Sequence, residues 1–91
     1  MNKIKLFETI KQVIDNWDPV GLLEVGAPKD EYDIETSKIA GKIQEDSDVE
    51  KIAGIIYDVL IEMFGEDTFN DISGFKQDCN NIAKVIFSKL A

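Results

Sequence analysis

The 91-residue chain contains no histidine, and its ten basic residues are all lysine. The first absence removes the commonest general base and the commonest zinc ligand together. The second removes the bidentate fork that reads phosphate and guanine. Eighteen acids oppose the ten lysines, for a formal charge of −8. An acidic, arginine-free domain is a poor nucleic-acid binder, and a charged partner for it would be basic. Cys79 is the only cysteine, so no internal disulfide can form and a reducing cytoplasm fits best. Apolar runs are short as well. Ile55-Ile56-Tyr57 soon meets Asp58, far from the roughly 18–20 apolar residues of a membrane span. Met1 to Lys5 leads into an amphipathic pattern with Glu8 and Lys11 rather than the apolar core of a secretory signal. The expectation is a soluble cytoplasmic protein of one domain, residues 1–91.

What the chain does have is helical periodicity. Ile4, Phe7, Ile10, Ile14 and Trp17 recur at three- and four-residue steps, with Leu6 and Val13 widening the stripe, which predicts a helix from about Asn2 to Asn16. Pro19 ends it by disfavouring helical geometry at Asp18. A second, weaker helix spans about Ile34 to Glu45, with either Asp30 or Asp33 as its cap. Ser47 and Glu50 have capping-box spacing ahead of the strongest helix, Asp48 to Phe64, which Gly65 would terminate. Phe69 and Ile72 anchor the next connector. Phe75, Cys79, Ile82, Ala83, Ile86 and Leu90 then mark a final helix from Phe75 to Leu90. The fold class is all-α: a compact array of four helices.

Between the first two helices lies an unusual connector. Residues 17–32 hold both prolines, the only tryptophan, and Gly21 and Gly26. Leu22, Leu23 and Val25 are apolar, and leaving them in water would forgo roughly 1.5–3 kcal/mol each. The connector is therefore expected to be ordered and folded back on the core. Trp17 reads as a core residue. Tyr32 has two readings: its ring could pin the connector while its hydroxyl satisfies a backbone group or carboxylate, or it could anchor a partner.

No glycine-rich phosphate loop, nucleophile elbow or paired-cysteine spacing is present. Cys79 lies on an apolar stripe and reads as a packing residue. The carboxylates fall into three groups. Asp30, Glu31, Asp33 and Glu35 surround the start of the second helix, and Glu45, Asp46, Asp48 and Glu50 that of the third. Glu66, Asp67 and Asp71 lie in the last connector. None follows a calcium-loop ladder, so neither a metal nor another cofactor is expected, and the chain does not read as an enzyme.

The segment Trp17-Asp18-Pro19-Val20-Gly21-Leu22-Leu23, followed by Gly26-Ala27-Pro28 and Tyr32, resembles the signature of a small bacterial family, domain of unknown function number eighteen-seventy-one. The likeness continues through Tyr57 to Phe64-Gly65 and returns at Asp78-Cys79 and Ile82-Ala83-Lys84. Residues 71–75 depart from it, being longer and more apolar than the connector expected there. The resemblance implies an all-helical protein without assigned catalysis. Proteins that look like this also occur as immunity proteins beside secreted toxin domains, including those of contact-dependent growth inhibition.

The functional expectation is accordingly an immunity-type protein that covers a cationic nuclease toxin with acidic side chains. Asp30, Glu31, Asp33, Glu35, Asp46, Asp48 and Glu50 would make the charged contacts, with Tyr32 as an aromatic anchor. Trp17, Asp18, Pro19, Gly21, Gly26 and Pro28 would shape the connector. The alternative is a non-catalytic housekeeping adaptor with an unrelated protein partner. Nucleic acid and membrane are not expected partners. The protein is expected as a monomer or, through Leu22, Leu23 or Ile72, a weak homodimer.

Overall fold

The computed structural model describes residues 2–90, in which four α-helices and one short 3-10 turn surround a single hydrophobic cluster. Helix α1 runs Lys3–Trp17, α2 Asp33–Lys42, α3 Val49–Phe64 and α4 Ile72–Leu90. The 3-10 turn is Glu66–Thr68, and no strand occurs among the described residues. No described helix is long and apolar enough to cross a membrane.

Asn2 starts α1 by accepting the amides of Ile4 and Lys5 at 3.0 and 3.2 Å. The buried stripe of this helix is Leu6, Ile10, Val13 and Ile14. It is rotated from the expected one, because Ile4 is 73% exposed and Phe7 only half-buried. At 100° per residue Ile4 lies off the side of α1 that carries Leu6, Ile10, Val13 and Ile14, so apolar character alone does not bury it.

Helix α2 stops at Lys42, three residues earlier than expected, and Ile43 turns extended at φ −76° and ψ 133°. Neither Asp30 nor Asp33 caps it. Tyr32 occupies the cap position, and no side chain there bonds the helix. The expected Ser47 capping box is also replaced. Ser47 is buried and its hydroxyl accepts the Gln44 amide at 2.9 Å, closing the turn between helices. The cap of α3 is Asp48, whose carboxylate accepts the Lys51 amide at 2.8 Å. Gly65 ends α3 with φ 81°, a left-handed angle where a side chain would be strained.

Helix α4 begins at Ile72, three residues before the expected start. The Asp71 carboxylate accepts the Gly74 amide at 3.0 Å, so the stretch read as connector forms the helix's first turn. Each helix packs against two others, in the cycle α1–α2–α3–α4–α1. Ile10, Ile14, Ile39, Ile43, Ile56, Leu60, Ala83 and Ile86 meet at the centre with no exposure. Lysines stitch the margins. Lys3 donates to the Ala40 and Ile43 carbonyls at 3.3 Å each, and Lys38 pairs with Glu62 of α3 at 3.1 Å.

Candidate functional site

The connector is held by its own side chains. Asp18 sits just past α1 at φ 52° and ψ 62°, a left-handed conformation that aspartate tolerates better than most residues. From there its carboxylate accepts the amides of Leu23 at 3.1 Å and Glu24 at 3.0 Å. It also accepts the Tyr32 hydroxyl at 2.5 Å. That hydroxyl in turn accepts the amides of Val20 at 3.3 Å and Leu22 at 3.4 Å. Four connector amides are thus satisfied by two side chains, as an ordered, partly buried loop requires.

The Tyr32 ring is fully buried, with an edge contact to Phe64 at 6.4 Å. Tyr32 therefore cannot act as the expected aromatic anchor for a partner. Burial, reinforced by the hydrogen bond to Asp18, pushes its phenol up to about 12. The same hydrogen bond, helped by the connector amides, holds the Asp18 carboxyl below its ordinary value. Leu22 and Leu23 pack against the core as expected, whereas Val25 is 81% exposed at the tip of the connector. Trp17 is half-buried, stacked 6.0 Å from Phe75.

The acids around α2 divide by environment. Asp30 and Glu31 are exposed. Asp33 is half-buried and bonded to Lys11 at 2.6 Å. Lys11 also donates to the Lys29 carbonyl at 2.8 Å and pairs with Asp15 at 3.0 Å, so it clamps α1 to the connector and α2. The Asp33 bond is the main reason its ammonium is held above the ordinary lysine value. Glu35 is only 5% exposed, and its Oε1 has no hydrogen-bond partner among the described residues. Burial raises its carboxyl above the ordinary value, and the charges of Glu31 and Asp33 add to the rise. Glu35 thus belongs to the packing of α2 rather than to an open docking surface, contrary to the expectation for it, whereas the Asp33 side chain keeps 38% of its surface exposed beside Lys11.

The acids of the third helix present a different picture. Asp46, Asp48 and Glu50 are all exposed. Asp48 and Glu50 border a shallow hollow with Lys51, Gly54, Ile55 and Asp58, about 460 Å³ in volume. Glu50, Gly54 and Asp58 follow one another at four-residue steps, so they share one side of α3. A Cβ at Gly54 would meet nothing within 4 Å, which leaves the helix backbone open to close approach there. The structure does not merge the two acidic groups into one patch: α2, ten residues and roughly 15 Å long, lies between them.

Among the described residues, no three His, Cys, Asp or Glu side chains are grouped to hold a metal ion. The family model described as Domain of unknown function (DUF1871) matches residues 9–89. The chain belongs to this family. No curated protein and no solved structure matches it.

Within this DUF1871 member, the match takes in the whole Asp18–Tyr32 connector and the α3 hollow. Asp58, Gly54 and Ile55 were not singled out from sequence as site residues, although the four-residue spacing of Glu50, Gly54 and Asp58 was the signal that could have found them. Cys79 is buried in α4, and burial pushes its thiol up to about 12, which removes it as a nucleophile in the folded protein.

Proposed function

We propose that this protein is an immunity-type binding protein that neutralises a cognate secreted toxin domain, a cationic nuclease, by covering its active site or substrate channel. The observation that carries the reading is the exposed acidic side of α3. There Asp48, Glu50 and Asp58 surround an open helix backbone at Gly54, with Lys51 as the one cation. Asp46 stands exposed just ahead of them, and none of these four acids forms an ion pair among the described residues. Carboxylates placed this way can occupy the positions where a nuclease would hold phosphates. The expectation that proteins of this appearance also occur beside secreted toxin domains supplies the partner class, and the charge supplies the mode of binding. Attraction of this kind would raise the association rate roughly 10- to 1,000-fold, with strong salt dependence. Asp30 and Glu31 are a secondary contact in this reading, being exposed but about one helix length away.

The test is co-expression with the toxin encoded by the neighbouring gene, scored by growth and co-purification. Rescue by the native chain, lost in Asp48→Lys/Glu50→Lys without loss of helicity, is the expected result. No rescue and no complex would dispose of the proposal for that pair. Rescue that survives the charge reversal would move the contact to another face.

A further inference from the structure

Helix α2 differs from its neighbours in what it buries. Helices α1 and α3 each bury four apolar side chains, whereas of the four buried in α2 only Ile39 and Ala40 are apolar. The other two are Glu35, 5% exposed, and Thr36, fully buried. Glu35 Oε1 and Thr36 Oγ1 both lack a hydrogen-bond partner among the described residues. A buried oxygen left unpaired favours any state that returns it to water. Here two such oxygens sit on consecutive residues, so they load the same turn.

The rest of α2 is held lightly. It is the shortest of the α-helices, no side chain caps its start, and Gly41 lies inside it. Polar ties hold its margins: Asp33 to Lys11 of α1, Lys38 to Glu62 of α3, and the Ala40 and Ile43 carbonyls to Lys3. The flanking segments are fixed without it. Tyr32 is anchored by Asp18 and Phe64, and the Ser47 hydroxyl closes the turn at Gln44. Helices α3 and α4, and α4 and α1, also pack directly on each other, with Phe75 joined to both Tyr57 and Trp17.

Glu35 stands one turn before Lys38, on the side of α2 that meets α3. Burial raises its carboxyl above the ordinary 4.5, and the charges of Glu31 and Asp33 add to the rise, while its own amide and Lys38 favour the carboxylate. Asp33 is bonded to Lys11 and Lys38 to Glu62, so both lysines beside this part of α2 are already paired. Those ion pairs weaken as pH falls, whereas a buried unpaired carboxyl weakens docking as pH rises. The two influences have opposite signs.

We propose that α2 is an acid-latched arm: it undocks from α1 and α3 as a unit when the Glu35 carboxyl loses its proton, while α1, α3 and α4 stay packed. This goes beyond the toxin-binding reading and needs none of Asp48, Glu50 and Asp58, so either can fail alone.

Amide exchange of the native chain from about pH 4 to about pH 7, corrected for the intrinsic pH dependence of exchange, reads the opening of each helix. Protection of Ile39, Ala40 and Ile43 should fall about tenfold per pH unit above the ordinary 4.5 and level off beyond the folded value, with Ile56, Leu60 and Ala83 unchanged. Glu35→Gln should abolish the fall and keep α2 at its acid level of protection. Thr36→Val should raise α2 protection about equally at both ends of the range and leave the fall in place. Protection of α2 that is flat, or that rises with pH as the ion pairs dictate, would overturn the proposal. So would a fall shared by α3 and α4, a fall that persists in Glu35→Gln, or weaker α2 protection in Thr36→Val.

Discussion

The Tyr32 hydroxyl donates a 2.5 Å hydrogen bond to the Asp18 carboxylate, fourteen positions away in sequence, closing the connector onto the end of α1. Each residue completes what the other leaves open. Asp18 takes the amides of Leu23 and Glu24, and Tyr32 those of Val20 and Leu22. The pair explains how a loop with Pro19, Gly21, Gly26 and Pro28 is ordered without regular structure.

Tyr32→Phe keeps the buried ring and removes only this junction. Losing a charge-assisted bond while leaving two amides unpaired should cost roughly 1–3 kcal/mol, measured by urea denaturation. Amide exchange at Val20 and Leu22 should accelerate in the variant. Unchanged stability would mean that water replaces the hydroxyl without penalty.

The same pair sets the pH dependence at both extremes. Tyr32 titrates near 12 in the folded chain and near 10 when unfolded, so the fold binds more protons between those values. Its contribution is complete below pH 10 and falls away as pH rises towards 12, by an amount on the order of 1–3 kcal/mol. The Asp18 carboxyl is shifted the other way. Its contribution is present above the ordinary 3.8 and disappears as pH falls through the lower folded value. Melts across both ranges should show the alkaline loss weakened in Tyr32→Phe and the acid loss weakened in Asp18→Asn.

Glu35 works against the fold. Its raised carboxyl means that stability is highest below the ordinary 4.5 and decreases as pH rises through the folded value. Glu35→Gln should therefore be more stable than the native chain at about pH 8 and show no gain at about pH 4. An equal gain at both would assign the effect to packing instead of charge.

Gly54 separates folding from binding. In an exposed helix interior with free space at its Cβ, Gly54→Ala should add about 1 kcal/mol of stability. Gly54→Leu should also fold, yet it would fill the hollow beside Asp58 and weaken binding of a partner docked on α3. Full affinity in Gly54→Leu would exclude close approach of a partner at this helix turn.

Cys79 should resist thiol reagents in the native state, since its sulfur is buried and held as a thiol. Labelling should follow unfolding as denaturant is raised. Rapid labelling without denaturant would require α4 to open locally from the core.

Four helices, the stop at Pro19 and the cap at Gly65 were legible in the residues themselves, because apolar spacing and backbone restrictions act locally. So was the likeness carried by Trp17 to Tyr32. The side-chain assignments were not. Asp33, Ser47 and Asp48 are all competent caps by type, and local energies near 1 kcal/mol do not choose among them. At α2, Asp33 lies inside the helix and bonds Lys11, while at α3 the Gln44 turn takes Ser47 and Asp48 is the cap. Periodicity likewise marked α1 as amphipathic but not which flank of its stripe would meet α2 and α4, so Ile4 fell outside. Glu35 looks like a surface residue by its chemistry, and for Tyr32 the sequence left open a buried pin for the connector and an exposed anchor. Only the approach of α2 to its neighbours buried them, because burial belongs to pairs of elements distant in the chain and not to any one residue.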